Sequence, residues 1–350
     1  MRVSAELLSL GAGLGEIFEG QDFSGGHYAK TFLGGGIFTQ CRWSGADLRE
    51  ADVREAVFDQ CDMGGALFAG ANLRHAVFNR CKLDHADFRG ANLHTATFNE
   101  CDLTHAQFGK ASMAMARFHA SALDHAGMQG ANLESAVFSQ SKLLDVNADH
   151  SQWTHTVVTG CDLSLMTWVG APMTRVVFSK LSLQNMRFDG GNYESCQFAD
   201  ADLSGSSFAG AKLRQCNFQG STLNGCDFSN AQAPQAIFCA TKGEGARFTK
   251  AQLRQSLFTE AALPGAHFGA AQLHQCHFAR AKLARAVFSG ADCTYADFRH
   301  ADLEGADLRD AELFRAVFHR AQLKDAQATD RSRALGTDPE LARAEQWAAA

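Results

Sequence analysis

The residues best suited to chemistry in this 350-residue chain are three histidines spaced twenty residues apart. His85, His105 and His125 stand near Asp84 and Asp124. Imidazole nitrogens bind transition metals and change charge near neutral pH, so this pattern suggests a metal site or a pH sensor. Equal spacing along a coiled chain would instead stack the rings in a straight column, whereas a metal needs ligands that converge. We therefore interpret the column as structural and predict no metal site.

Other reactive side chains form no recognisable catalytic set. The sequence contains no P-loop, no G-x-S-x-G motif and no H-E-x-x-H motif. Residues 139–142 match S-x-x-K, but Ser141 occupies a position where small residues point inward. The glycines of residues 11–15 lack the spacing of a dinucleotide-binding loop. We predict that the chain is not an enzyme and uses no cofactor.

A strict period of five residues dominates the chain and must position all these side chains. Every fifth residue from Phe18 to Leu323 is large and apolar, and a small residue precedes nearly every one by two positions. The small or weakly apolar exceptions are Ala148, Ala233, Gly243 and Cys293. This period fits neither a helix nor a simple strand. It fits a chain that turns a corner every five residues and points one large and one small side chain inward on each side.

A second regularity gives the number of sides. Steps of twenty from residue 18 to residue 318 meet Phe everywhere except at Val158. A second Phe-rich series runs from Phe68 to Phe288, and Leu dominates the two series between them. A twenty-residue coil with two opposite Phe walls and two opposite Leu walls explains this arrangement, because alternating sizes can fill the interior at normal density. The sequence therefore predicts a four-sided solenoid.

The repeating unit reads small–Asp/Asn–Leu/Phe–polar–Gly/polar, as in residues 71–75 and 301–305. It resembles the motif of the pentapeptide-repeat family over about nine-tenths of the chain. The resemblance implies an all-β solenoid, namely a right-handed quadrilateral β-helix. Here that fold would have about 15–16 coils and short helical or irregular terminal caps.

The pattern divides the chain into three parts. We expect an N-terminal cap at 1–16, a single repeat domain at 17–328 and a C-terminal link with a short helix at 329–350. Coils within 144–193 should be irregular, because larger residues replace the small inward ones there. These residues are Val146, Met166, Val176, Leu181 and Met186.

The C-terminal segment carries a helix start signal, with Asp338 as the N-cap and Pro339 at the first helical position. Some members of the family that the chain resembles pair through C-terminal elements. The resemblance therefore implies a homodimer as one alternative, with Leu341 and Trp347 as contact residues. The other alternative is that this segment only covers the end of the solenoid.

Nine of the eleven cysteines occupy the small inward position. They are Cys41, Cys61, Cys81, Cys101, Cys161, Cys196, Cys216, Cys226 and Cys276. Cβ atoms stacked in a parallel sheet would lie ~4.8 Å apart, which exceeds the ~3.8 Å usual in a disulfide. We expect reduced, buried thiols that replace alanine, with metal binding as the alternative.

The composition indicates where in the cell the protein is expected and which kinds of partner it is expected to bind. The formal net charge of −6 disfavours nonspecific nucleic-acid binding. No apolar run approaches the length of a membrane span. The first residues do not resemble a signal peptide, because Glu6 and Glu16 bracket a short stretch broken by glycines. We expect a cytoplasmic protein with no membrane association, and secretion without a cleaved signal stays open.

Two departures from the motif are candidate protein-binding features. The first is an outward row of β-branched residues where the motif has Asp or Asn. Its members are Ile37, Val57, Val77, Val137, Val157 and Val177. Such residues suit flat parallel strands, and exposed apolar surface also marks docking sites. The second is Trp153 and Trp168, which would serve a partner if an indole ring turned outward and would otherwise belong to a repacked core.

These features favour a rigid, non-enzymatic scaffold or adaptor that binds an unidentified protein along its outer faces. The family resemblance implies two alternatives: a DNA mimic that binds type II topoisomerases such as gyrase, and a bacterial secretion-system adaptor or translocated effector. Mimicry needs dense acidic surface, yet Arg42 and Lys82 interrupt the row containing Asp22 and Asp62. DNA of similar length carries roughly forty charges, so the charge favours the scaffold.

Overall fold

The computed structural model describes residues 4–348, and the side chains of residues 4–346. The chain divides into two compact units, Met1–Val177 (unit 1) and Phe178–Ala350 (unit 2). The repeat region 17–328, which we expected to be one domain, is shared between these units. Their boundary falls inside 144–193, the segment that the sequence predicts to be irregular. Each unit is a parallel β-solenoid, and together they contain about 16 turns with short helices near the termini.

Unit 1 contains an eight-stranded parallel sheet on one side of its coils, in the order β1-β2-β3-β4-β5-β6-β7-β9. The strands are β1 Ile17–Glu19, β2 Ile37–Thr39, β3 Val57–Asp59, β4 Val77–Asn79, β5 Thr97–Asn99, β6 Arg117–His119, β7 Val137–Ser139 and β9 Val157–Thr159. A second sheet pairs β8 (Trp153–Thr154) with β10 (Met173–Thr174). Each residue pairs with the one twenty positions later, as Phe38 does with Phe58. This register confirms the twenty-residue coil.

Unit 2 follows the same register with shorter pairings. Isolated parallel bridges join residues twenty apart, as between Ser182 and Asp202. One two-stranded sheet pairs β11 (Asp307–Leu308) with β12 (Gln327–Ala328). The helix α2 (Pro339–Ala348) follows the last coil.

The core consists of side-chain columns that run from coil to coil. Phe58 and Phe78 stack with ring centroids 5.0 Å apart and planes 7° apart. Phe68 and Phe88, in the second Phe wall, stack at 5.0 Å and 2°. Rings from the two walls meet edge to face, as Phe78 and Phe88 do at 6.5 Å. The two Phe walls predicted from the sequence are therefore present, in geometries that aromatic pairs prefer.

The corners of the coils require left-handed backbone. Gly45 turns one corner with a φ of 63°, and Gln60 turns a different corner with a φ of 54°. Glycine adopts this conformation without steric strain, whereas other residues pay roughly 1–2 kcal/mol. This requirement explains why glycine recurs at the fifth position, although many corners carry other residues, most of them polar.

Helices lie next to the first and last coils. The helix α1 (Ala5–Gly13) begins at Ser4, whose Oγ accepts a hydrogen bond from the Leu7 amide at 3.3 Å. A Cβ placed on Gly11 would lie 2.8 Å from Cζ of Phe18, so the helix packs tightly on the first Phe ring. At α2, Asp338 accepts hydrogen bonds from the next turn through Oδ1, as expected of an N-cap.

The cysteines at inward positions are buried. Cys41 donates a hydrogen bond to the Phe18 carbonyl at 3.3 Å, and Cys61 donates to the Phe38 carbonyl at 3.4 Å. Desolvation raises the pKa of Cys226 and of Cys276 to about 12. The Cys226 and Cys276 thiols are therefore protonated at neutral pH and act as small packing residues, because only the thiolate is a good nucleophile or metal ligand.

Thiol reactivity should follow this burial. Cys239 is partly exposed, whereas the other ten cysteines are buried. We expect Ellman's reagent to modify at most one thiol rapidly in the native protein and all eleven in denaturant. Cys239→Ser should remove the rapid phase. Rapid native modification of several thiols would contradict the inward placement of the cysteine columns.

Candidate binding face

The outer surface of the eight-stranded sheet in unit 1, here named the β face, carries the apolar row found in the sequence. Strand pairing places Ile37 beside Val57 and Val57 beside Val77. Val137, Val157 and Val177 continue the same row in neighbouring coils. All six side chains are half-buried, since each contacts its neighbours along the row and leaves its outer side in water.

Two residues divide this row into segments. Thr97 and Arg117 occupy the same register between Val77 and Val137, and Arg117 is exposed. The first segment begins at Ile17, which is 66% exposed at the edge of the sheet. The β face therefore offers two short apolar segments rather than one continuous stripe.

A polar row runs beside the apolar row, two residues further along each strand. Asn99 donates a hydrogen bond to Asn79 at 2.8 Å, and His119 lies 3.0 Å from Ser139 through Nδ1 and Oγ. Arg80 reaches Asp59 at 2.8 Å. These bonds between coils hold the polar side chains in place, so the β face is ordered before any partner binds.

Five of the 38 acidic residues are neutralised locally by a motif that the sequence reasoning missed. In an Asp-x-Arg unit the two charged residues lie on the same outer side of a coil, because one inward residue separates them. Arg49 donates to both carboxylate oxygens of Asp47, at 2.9 and 2.7 Å. These hydrogen bonds lower the pKa of Asp47 to about 2. The other pairs of this kind are Asp52–Arg54, Asp87–Arg89, Asp297–Arg299 and Asp307–Arg309.

Sequence comparison places this chain in a family. A model of the pentapeptide repeat region matches residues 17–88 and 192–268. A model of eight-copy pentapeptide repeats matches residues 101–140, 251–290, 266–305 and 291–326. The chain belongs to the pentapeptide-repeat family. No curated protein sequence matches it significantly.

Solved pentapeptide-repeat proteins are among the structures to which this chain is similar. HetL, involved in heterocyst differentiation regulation in the cyanobacterium Nostoc, is 20% identical over 96% of this chain and 99% of its own, with a TM-score of 0.31. QnrB1, a plasmid-mediated fluoroquinolone resistance protein, is 18% identical over 61% and 92%, with a TM-score of 0.30. A pentapeptide-repeat protein of the Arabidopsis thaliana thylakoid lumen is 16% identical over 48% and 70%, at 0.15.

Within the described residues, this pentapeptide-repeat protein has no helix with the length and apolar character that crossing a membrane requires.

The two candidate tryptophans of the irregular segment do not reach the surface. Trp153 is 1% exposed and Trp168 is 6% exposed. Trp153 donates a hydrogen bond from Nε1 to Ser151 at 2.7 Å. Of the two alternatives, the structure has the repacked core and not the outward indole, and the small centres Ala148 and Val158 on adjacent sides leave room for the Trp153 ring. Neither indole ring is available to a partner at the surface of unit 1.

The histidine column is present as a stack. Rings of His85 and His105 lie 4.8 Å apart and 12° from parallel, and those of His105 and His125 lie 4.9 Å apart. His125 contacts Asp145 through Nδ1 at 3.0 Å. Parallel rings point their nitrogens in the same direction, so they do not converge on one point as ligands of a metal do.

A different cluster, in unit 2, brings together groups that could hold a metal. His300, His319 and Glu345 offer ligand atoms within 4.8 Å of one another. However, the Asp338 amide donates to Nδ1 of His319 at 3.1 Å. Neutral His319 must therefore carry its proton on Nε2, which faces Glu345 at 3.3 Å. That proton occupies the position that a metal would need, so the residues fit a hydrogen-bonded contact better than a metal site.

This contact fastens the C-terminal helix to the last coils. Glu345 also meets His300 at 3.2 Å and Arg320 at 3.2 Å. Desolvation acts against ionisation, but hydrogen bonds from His319 and His300 still lower the pKa of Glu345. Glu345 lies 26 positions from His319 and 45 positions from His300 in the chain. A local sequence motif therefore could not predict this cluster.

Of the two residues suggested for a C-terminal dimer contact, the structure describes the side chain of one. Leu341 is 42% exposed on α2, while the side chain of Trp347 lies outside the described residues. A dimer through this helix stays a prediction.

Proposed function

We propose that this protein is a non-enzymatic scaffold that binds a protein partner through the β face. The observation that carries the proposal is the in-register row of half-buried Ile and Val side chains at outward positions, where the family motif has Asp or Asn. Fixed spacing and hydrogen-bonded flanking residues keep the ordering cost of binding low. The paired strands leave the apolar row facing the solvent, ready for a complementary surface.

The partner element that fits best is a short amphipathic helix lying along the row. Successive coils are 5.0 Å apart, as measured between Phe38 and Phe58, and a helix rises ~5.4 Å per turn. One apolar residue per turn would stay in step with the first segment, Ile17 to Val77, for about three turns. The row beside it offers Asn79 and Thr39 to the polar flank of such a helix.

The charge distribution supports this function over topoisomerase binding by DNA mimicry. A DNA mimic needs free carboxylates at a density near one charge per ~1.7 Å. Here Asp47 and Asp87 are each held by an arginine two residues away. Asp22 is likewise paired with Arg42 at 2.8 Å. Acidic residues neutralised in this way project little negative potential.

The double variant Val57→Asp plus Val77→Asp tests the proposal. Both side chains are outward and half-buried, so two carboxylates would oppose an apolar helix without entering the core. We expect at least a tenfold loss of capture of the partner, measured by quantitative mass spectrometry after affinity purification from the source cells and then by titration with the purified partner.

The matched control is Leu67→Asp plus Asn72→Asp. These half-buried residues lie on other sides of the same coils and add the same charge. The control should retain the partner, and both variants should keep the wild-type circular dichroism spectrum. Equal binding by both variants, or equal loss in both, would refute the assignment to the β face.

A further inference from the structure

The first helix of the protein presents an apolar stripe to the solvent. Leu7 is 64% exposed, Leu10 is 61% exposed and Leu14, the C-cap of α1, is 72% exposed. Ile17 follows at 66%, and Phe32 beside Gly13 is 42% exposed. The opposite side of the helix buries Leu8 and Ala12 against the first coil. α1 therefore has apolar residues on both sides, although covering the first coil needs only one.

The spacing of the stripe is that of a helix-pairing surface. Leu7, Leu10 and Leu14 are separated by three and four residues, the alternation found at the contact positions of paired helices. Leucines at these positions in one helix fit between those of another helix with the same pattern. Glu6 is the only charged residue within α1, so two copies of the stripe meet without like charges at their centre.

The size of the patch decides what can cover it. Burying about 100 Å² on each of the five side chains, on both of two copies, removes ~1,000 Å² from water, which reaches the lower bound for a specific interface. Each copy contributes ~500 Å², which lies in the upper part of the range for the largest apolar patch on a monomer, and patches of this size often bind a partner.

We propose that two copies of this chain associate through their N-terminal helices, with Leu7, Leu10 and Leu14 of each copy packed against the same residues of the other. A self-complementary patch of this kind gives a closed two-fold dimer. The contact is centred on α1 and shares only Ile17 with the β face.

Sedimentation velocity on the full-length chain tests this proposal. The wild type should be a dimer at micromolar concentration. Leu10→Glu plus Leu14→Glu should raise the dimer Kd at least ~100-fold, because two charges from each copy would be buried at the contact. A spin label on Glu6→Cys, made in the Cys239→Ser background so that no other exposed thiol is labelled, should report a short distance between copies and leaves the leucines intact.

Two control variants locate the contact. Leu165→Glu plus Val169→Glu changes residues that are equally exposed, at 71% and 69%, elsewhere in unit 1. Leu341→Glu changes the C-terminal helix. Both should remain dimers. A wild type that is monomeric at all concentrations would overturn the proposal, as would a dimer that persists in the Leu10/Leu14 variant or is lost in the Leu341 variant.

Discussion

Replacing Phe78 with Ala should destabilise unit 1 by roughly 3–5 kcal/mol, the range for truncating a buried aromatic residue. Phe78 is fully buried and stacks at 5.0 Å on Phe58 and at 4.9 Å on Phe98. Its ring edge also meets Phe68 and Phe88 in the opposite wall. The cavity would have rigid walls on several sides, because each neighbouring ring is held by its own column. Denaturant unfolding followed by circular dichroism would measure the change.

Phe32→Ala provides the comparison, since that ring is 42% exposed and occupies an outward position. We expect less than about 1 kcal/mol for this change, as for most surface substitutions. A conservative Phe78→Leu substitution should fall between the two. Similar losses for Phe78→Ala and Phe32→Ala would mean that the inward columns do not carry the stability of the fold.

The second large loss of stability should come from placing a carboxylate at the inward residue Ala76. The same change at its outward neighbour Val77 should have little effect. Ala76 points inward and is fully buried, whereas its neighbour Val77 points outward on the β face. Ala76→Asp would bury a carboxylate among apolar columns with no space for water. We expect a loss of about 4 kcal/mol or more, which leaves unit 1 partly or wholly unfolded at room temperature.

Val77→Asp adds the same side chain one position later and should cost about 1 kcal/mol or less. Thermal unfolding of the two single variants, together with proteolysis of unit 1, would compare them directly. If both variants unfolded alike, the inward and outward assignment of this strand would be wrong. In that case the Val57→Asp plus Val77→Asp variant would also unfold unit 1, and its loss of partner binding would not identify the β face as the binding surface.

The columns of the core were predictable because they depend on a single spacing. A period of five sets the corners, and the recurrence of Phe at steps of twenty requires equal sides to lie above one another. Phe18 to Phe318 could therefore be assigned to one wall before any coordinate was known. The same reasoning placed the cysteines, since Cys41 and Cys61 share the phase of the inward alanines.

Features that depend on local space or on distant contacts were not predictable in this way. The position of Trp153 follows from the room left by its small neighbours, which a pattern of residue types does not measure. His319 and Glu345 meet only because α2 folds back on the last coils. The Asp-x-Arg pairs did have a signal, since residues such as Asp47 and Arg49 flank an inward Leu and must share one side.

The four-sided geometry of unit 1 has a consequence for how such a protein can change in length. Loss of twenty residues, for example 58–77, would join Val57 to Phe78 and shorten the stack by one layer while leaving each remaining surface where it was. Loss of only five would keep every side chain in phase but rotate all later layers by a quarter turn. Evolution can therefore extend a binding surface by whole layers, or redirect part of it with a single motif.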